Sequence, residues 1–274
     1  MEGPSLVILK EQAAKFVGKK VQSATGAANV DFDRISGQTL RRIDTWGKHF
    51  LMVFNDCYIR IHYLMFGNYY IDSQHYNPEK VAKLTLLFRN GEWNNYNCAV
   101  KIHEGTDIDA AYDFRIDLMN DQWNPALARK TLRASPDRLV CDVLLDQQVF
   151  SGLGNIMKNE TLFRTRIHPE SRLGALPVKK LNELVKEARA YAFDFLRWKK
   201  EGASNATGKP MGKRPARAAT SPSSNNTPAS PRDEASFAKS ARSCISSLWF
   251  VVSRCAVHYT SKAGTSPTNK PTNQ

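Results

Sequence analysis

The sequence predicts an α+β protein: an N-terminal β-sandwich domain opened by a helix, then a helical domain, then a mostly disordered tail. Three observations predict it. Short aromatic and β-branched runs separated by turn residues fill residues 20–103, the pattern of consecutive strands. From about 123 to 200 the apolar residues recur at helical spacing instead. In residues 201–274, Ser, Thr, Pro, Ala, Gly and Asn make up 47 of 74 positions, too little apolar surface to offset the entropy of ordering. The boundaries fall at 1–122, 123–201 and 202–274.

The first element is a helix. Pro4 suits a first helical position; Leu6, Leu9, Ala13, Phe16 and Val17 follow at helical spacing and Gly18 ends the run. Strands are expected over Gln38–Trp46, His49–Phe54, Cys57–Tyr63 and Asn68–Ile71, with Asn55-Asp56 as a hairpin turn. Asn90-Gly91 is the strongest hairpin signal, between Lys83–Phe88 and Trp93–Ile102. Helices are expected over Pro125–Ala134, Leu139–Phe150, Ile156–Arg164 and Pro177–Trp198. The last has Leu181, Leu184, Val185, Ala188, Ala192 and Phe195 on one face. In the tail only Ile245–Val252 is locally apolar.

Composition narrows the function. Apolar residues are 42% of 274, and none of the runs approaches the ~18 consecutive apolar residues of a spanning helix. Met1-Glu2-Gly3-Pro4 carries no basic segment before an apolar run, so a secretory leader is not expected. A cytoplasmic, nucleoid-associated monomer with no membrane partner is expected instead. Five cysteines form no C-x-x-C pair and read as reduced thiols. Net charge is +13. The tail holds 10 Lys and Arg against 3 Asp and Glu, and the first 200 residues hold 29 against 23. The excess therefore belongs to the folded part too, and favours a polyanionic partner, nucleic acid before others.

Three features carry candidate chemistry. Glu2-Gly3-Pro4 leads into a helix; Lys48 stands in the turn Trp46-Gly47-Lys48-His49; Ser151-Gly152-Leu153-Gly154-Asn155 opens another helix. Each has a plain structural reading: a helix lead-in, a solvated turn lysine, a tight helix–helix turn. Together they fit one task. A glycine-rich helix opening presents unpaired N–H groups and a positive dipole end to a phosphate. Asn155 adds a side-chain donor, and Lys48 a point charge or a proton donor.

These segments resemble the formamidopyrimidine-DNA glycosylase/endonuclease VIII family. The resemblance rests on Met1–Ser5, Gly47-Lys48, and Asp146-Gln147-Gln148-Val149-Phe150-Ser151-Gly152-Leu153-Gly154-Asn155-Ile156 continuing to Asn159-Glu160-Thr161-Leu162-Phe163, and it covers residues 1–200. It implies a β-sandwich followed by a helix–two-turns–helix module. It implies excision of an oxidised base from damaged DNA and cleavage of the abasic strand, with the N-terminal amine as imine-forming nucleophile. Carried over by residue, Met1, Glu2 and Lys48 are catalytic, and Gly152, Gly154 and Asn155 clamp the lesion-flanking phosphates. Leu64, Met65 and Phe66 match the loop that fills the gap left by an everted nucleotide; the same triplet is equally compatible with core packing at a strand end. An α-amine, with a reference pKa of ~7.7–8.0, has an appreciable neutral fraction at pH 7.

Two departures stand out. The family presents a proline amine where this chain has Met1, whose primary amine keeps the register but gives a different intermediate. The family usually ends in a four-cysteine zinc ribbon, whereas Cys244, Cys255 and His258 supply no second close pair. No metal and no cofactor are therefore expected, and reduced activity is. Back-translated in a shifted frame, Pro215–Ala219 and Phe237–Ala241 can spell Cys-Pro-Arg-Cys and Cys-Glu-Lys-Cys, eighteen codons apart. This motivates the hypothesis of a frameshift near residue 202; gene codons that spell no such cysteines would end it. A non-catalytic DNA-binding protein and a degraded, frameshifted family member are the alternative readings.

Overall fold

The computed structural model describes residues 1–72 and 81–205, with side chains through Gly202. The expectations for the tail, including Ile245–Val252, Cys244, Cys255, His258 and the shifted-frame pairs, lie outside the described residues.

Helix α1 spans Gly3–Ala13 with Pro4 in its first turn, and Ala14–Phe16 tighten into a 3₁₀ turn. Leu6, Leu9, Ala13 and Phe16 are buried. Val17, expected on that face, is exposed, because the helix has already ended and the following backbone is extended.

The strands are β1 (Val21–Thr25), β2 (Arg42–Trp46), β3 (His49–Val53), β4 (Cys57–Ile71), β5 (Leu84–Phe88) and β6 (Gly91–Glu104). They form one antiparallel sheet in the order β1-β5-β6-β4-β3-β2. The sandwich is this single sheet folded over. Phe50 on β3 connects through Ile61 to Val100 on β6, and Trp93 lies seven residues before Val100. On a flat sheet those seven residues alone would span roughly 23 Å. The Phe50 and Trp93 rings nevertheless meet edge to face with centroids 5.4 Å apart. The fold-over coincides with the register break between Tyr63 and Asn68 of β4. Both halves and α1 enclose one core containing Leu6, Phe50, Ile59, Leu86 and Trp93. Phe16 stacks on Phe88 at 4.5 Å and Trp93 at 6.0 Å, tying the helix end to the far half.

Several boundaries differ from expectation. The strand expected from Gln38 begins at Arg42, and β1 was not separately anticipated. Cys57–Tyr63 and Asn68–Ile71 are one strand interrupted by a bulge rather than two. The second hairpin turns at Arg89-Asn90, because Gly91 already pairs with Phe88. Gly91 adopts φ +146° and a Cβ there would collide with the Asp72 carboxylate, which accepts the Glu92 N–H at 2.7 Å. The glycine thus serves an Asp72 contact rather than the turn itself.

The helical part comprises α2 (Ile108–Ala111), α3 (Pro125–Ala134), α4 (Val140–Leu145), α5 (Asn155–Thr165) and α6 (Val178–Asn205). Helix α4 stops at Leu145, five residues short of expectation, and Asp146–Gly154 form the connection to α5. Val149, Phe150 and Leu153 of that connection are buried with Leu144, Met157 and Leu162, so its apolar residues mimic a continuing helical pattern. Leu181, Leu184, Val185, Ala188 and Ala192 of α6 are buried as expected, and Phe195 packs at the edge. Lys200 of α6 pairs with Glu11 of α1 at 2.7 Å.

Candidate active site

Three segments distant in sequence meet at the start of α1. The Gly3 N–H donates to the Gly152 carbonyl at 3.0 Å. Gly47 is so close to Ser151 that a Cβ would overlap its Oγ, and its φ is +58°. A Cβ on Gly154 would overlap the Glu2 carboxylate. The chain is glycine at these positions because backbones approach where a side chain would stand.

The β2–β3 turn is Gly47-Lys48, closed by the Trp46–His49 pair. Positive φ at its first position alone suits a type II′ turn and leaves Lys48 half-buried beside the chain terminus. Two residues outside the sequence-based site hold that turn. The buried Asp117 accepts the Gly47 N–H at 3.0 Å and the Met119 N–H at 2.9 Å. His62 Nδ1 lies 3.2 Å from the Lys48 carbonyl, so that nitrogen is the donor. Burial pushes the Asp117 carboxyl up to about 6, against the pull of its two N–H donors.

The α4–α5 connection is closed from within by Gln147. Its amide nitrogen donates to the Leu145 and Leu153 carbonyls at 2.8 and 3.0 Å, while its oxygen accepts the Gly152 N–H at 3.1 Å. Asp146 accepts from Arg138 and from the Gln148 N–H, both at 2.9 Å. These bonds give the Asp-Gln of the motif a structural task. Gly152 adopts φ +92°, reversing the chain so that Asn155 begins α5.

Glu2 caps that helix from the other end of the sequence. Its carboxylate oxygens accept the Ile156 N–H at 2.9 Å and the Met157 N–H at 3.3 Å, two of the donors a helix start leaves unpaired. The negative charge also meets the positive end of the helix dipole. Burial, then the Lys48 charge, holds the Met1 α-amine below its ordinary pKa of 8.0, with Glu2 opposing and Lys199 assisting. Burial likewise lowers the Lys48 ammonium, opposed by Glu2. A neutral, nucleophilic amine is thus more populated near pH 7 than in an open peptide.

The remaining site residues fall into two groups. Asn155 is exposed at the first turn of α5, with its Oδ1 bound by Lys158 Nζ at 3.1 Å. Leu64, Met65 and Phe66 occupy the bulge of β4, apart from the α5 cluster in sequence and element. They are 44%, 78% and 88% exposed, which removes the core-packing alternative. Phe66 has φ +64°, and Asn97 Nδ2 holds the Met65 carbonyl at 2.6 Å. Sequence reasoning missed Asp117, His62 and Lys158. Only Lys158 left a signal, a lysine within the glycine-opened helix.

Cys57 and Cys98 are buried in the core of the sheet domain, and Cys141 is buried as well. Among the described residues, no group of three or more His, Cys, Asp or Glu side chains could hold a metal ion, and no helix is long and apolar enough to cross a membrane.

A helix-opened, folded-over sheet joined to a helical module through a glycine-rich helix start defines a two-part fold with its chain terminus built into the junction. The model of the formamidopyrimidine-DNA glycosylase N-terminal domain matches residues 5–101, and that of the formamidopyrimidine-DNA glycosylase H2TH domain matches residues 116–204. The chain belongs to the formamidopyrimidine-DNA glycosylase/endonuclease VIII family. It is 25% identical over 190 residues to endonuclease 8-like 3 of Xenopus laevis, covering 66% of this chain and 31% of that protein. It is 29% identical over 146 residues to a DNA-(apurinic or apyrimidinic site) lyase of Mycolicibacterium smegmatis, covering 52% and 57%. The formamido-pyrimidine DNA glycosylase of Lactococcus lactis has the same fold, with a TM-score of 0.65 and 21% identity over 76% of this chain and 86% of that one. The chain spans about a third of the length of the vertebrate endonuclease 8-like 3 relatives.

Proposed function

We propose that this chain is a base-excision DNA glycosylase with AP lyase activity on oxidised bases, working as a monomer on damaged DNA. The Met1 α-amine attacks C1′ of the lesion nucleoside, the base departs, and the opened sugar is held as an imine. Glu2 moves the protons of base departure and ring opening. Lys48 contacts a flanking phosphate and assists elimination, in which the imine acts as electron sink and the 3′ and then the 5′ phosphate leave. Asn155, presented by the Gly152-Leu153-Gly154 turn, binds backbone phosphate at the start of α5; the Gly152 N–H is itself taken by Gln147. Leu64, Met65 and Phe66 enter the stack where the nucleotide has left it. None of these steps draws on a metal ion.

One observation carries the reading: the Glu2 carboxylate is held by the N–H groups of Ile156 and Met157, so the residue beside the amine is fixed to the proposed phosphate site. Family membership and the AP-site DNA bound to the Lactococcus lactis enzyme add support. The test is incubation of the full chain with oligonucleotides carrying an oxidised pyrimidine, an oxidised purine or an abasic site. Release of free base from the two oxidised-base substrates, and strand scission at the lesion in all three, are expected. Tight binding to all three without base release or scission would leave a DNA-binding protein and contradict the catalytic assignment.

A further inference from the structure

Lys158 is the least ordinary charged residue of the described structure. It is 2% exposed and sits in the first turn of α5, where a cation opposes the helix dipole. No carboxylate forms an ion pair with it among the described residues; its ammonium instead donates to the neutral Asn155 Oδ1 at 3.1 Å. A buried ammonium with one neutral acceptor is costly, and a fold that retains it has a use for the field or for the bond.

The bond decides which way Asn155 faces. A lysine ammonium has donors only, so the atom opposite it must be the amide oxygen. Asn155 Nδ2 is thereby turned away from Lys158, on an exposed side chain. In the same turn the Ile156 and Met157 N–H groups go to Glu2 and the Lys158 N–H to the Gly154 carbonyl at 2.8 Å. The Asn155 backbone N–H has no acceptor among the described residues. Two donors of one residue are left for an anion, with a buried positive charge behind them.

We infer that Lys158 is the positioning residue of the phosphate site at α5: it locks the Asn155 amide with its donor outward, toward the bound phosphate. This rests on the proposed function and adds to it a residue absent from the motif that defines the site. Lys158 acts through Asn155 and does not itself touch the DNA.

The test is a double-mutant cycle on the full chain, using a labelled duplex with a tetrahydrofuran abasic analogue, titrated at several salt concentrations. Lys158→Met and Asn155→Ala are each expected to weaken binding roughly tenfold, and the double variant no more than about tenfold as well. Lys158→Gln keeps a donor for Asn155 Oδ1 without the charge, and should recover part of the loss. It also serves as the cycle's second corner if Lys158→Met does not unfold cooperatively. Strictly additive losses, or wild-type binding by Lys158→Met, would overturn the inference. Failure of the unaltered chain to bind the abasic duplex would instead count against the proposed function.

Discussion

The Glu2 carboxylate accepts the backbone N–H of Ile156 at 2.9 Å across 154 residues of sequence. The bond joins the start of the chain to the helix that the glycine-rich connection opens. A group beside the Met1 amine is therefore held by rigid backbone rather than by another side chain. Orientation of that kind is what lets a proton donor act within the lifetime of a bound substrate.

Glu2→Gln preserves shape and one acceptor oxygen but removes the charge and the proton-transfer capacity. Base excision should fall by at least about 10²-fold, in the range of a lost general acid–base. Duplex binding should stay within a few-fold, and stability should drop by roughly 1 kcal/mol through the weakened cap. Parallel excision, binding and urea-unfolding measurements check this. Excision at the unaltered rate would remove Glu2 from the mechanism.

Gly47→Ala tests whether the turn places Lys48. The new methyl group would overlap Ser151 Oγ at a positive φ. A loss of roughly 1–3 kcal/mol is expected from strain and crowding. Abasic-strand scission and DNA binding should both decline, because the methyl group displaces the Lys48 turn and presses on Ser151 and Gly152 at the opening of α5; unchanged scission would contradict the placement of Lys48 by this turn. Thermal unfolding and gel-resolved scission give the two readouts.

The Asp117 carboxyl, raised to about 6 by burial, predicts an unusual pH dependence. The folded state binds this proton more tightly than the unfolded chain does, so the contribution to stability falls as pH rises from about 4 to about 6. The span is roughly 3 kcal/mol at 1.36 kcal/mol per pKa unit. Asp44 opposes ionisation and Arg189 favours it. The difference in unfolding free energy between wild type and Asp117→Asn should therefore change with pH in this window. A pH-independent difference would contradict the assignment.

Phe66→Gly separates the wedge from the fold. The residue is 88% exposed with φ +64°, so glycine relieves a left-handed conformation and removes no core contact. Stability should be unchanged or rise by up to about 1 kcal/mol. Excision from duplex should fall several-fold, while excision from a single-stranded substrate, which has no opposite strand to refill, changes little. Equal losses on both substrates would argue against the wedge.

Much of this was legible in the sequence where local chemistry decides the outcome. Pro125–Ala134 matched its helix because Asn124 caps it, accepting the Ala126 N–H at 3.0 Å, and Pro125 begins it. Met1, Glu2, Lys48 and the 152–155 turn could be linked because each lies in a short contiguous motif and the motifs together resemble one family. Helix α4 was overextended because Val149, Phe150 and Leu153 are buried in a loop, and burial pattern alone does not distinguish loop from helix. The folding-over of one sheet was hidden because it depends on a bulge at 64–67 and on distant pairing. Asp117 and His62 were unreadable for the same reason: each meets the Lys48 turn only through tertiary contact.

The proposed chemistry starts from the amine of Met1 as nucleophile. Incubating the full chain with abasic-site DNA and borohydride, then mapping the adduct by peptide mass spectrometry, tests it most directly. A covalent DNA adduct on the N-terminal peptide, at the Met1 amine, is expected to form readily at pH 7 because burial and Lys48 lower that amine's pKa. An adduct on Lys48 or another lysine, or no adduct from a chain shown to begin at Met1 and to bind the same DNA, would contradict it.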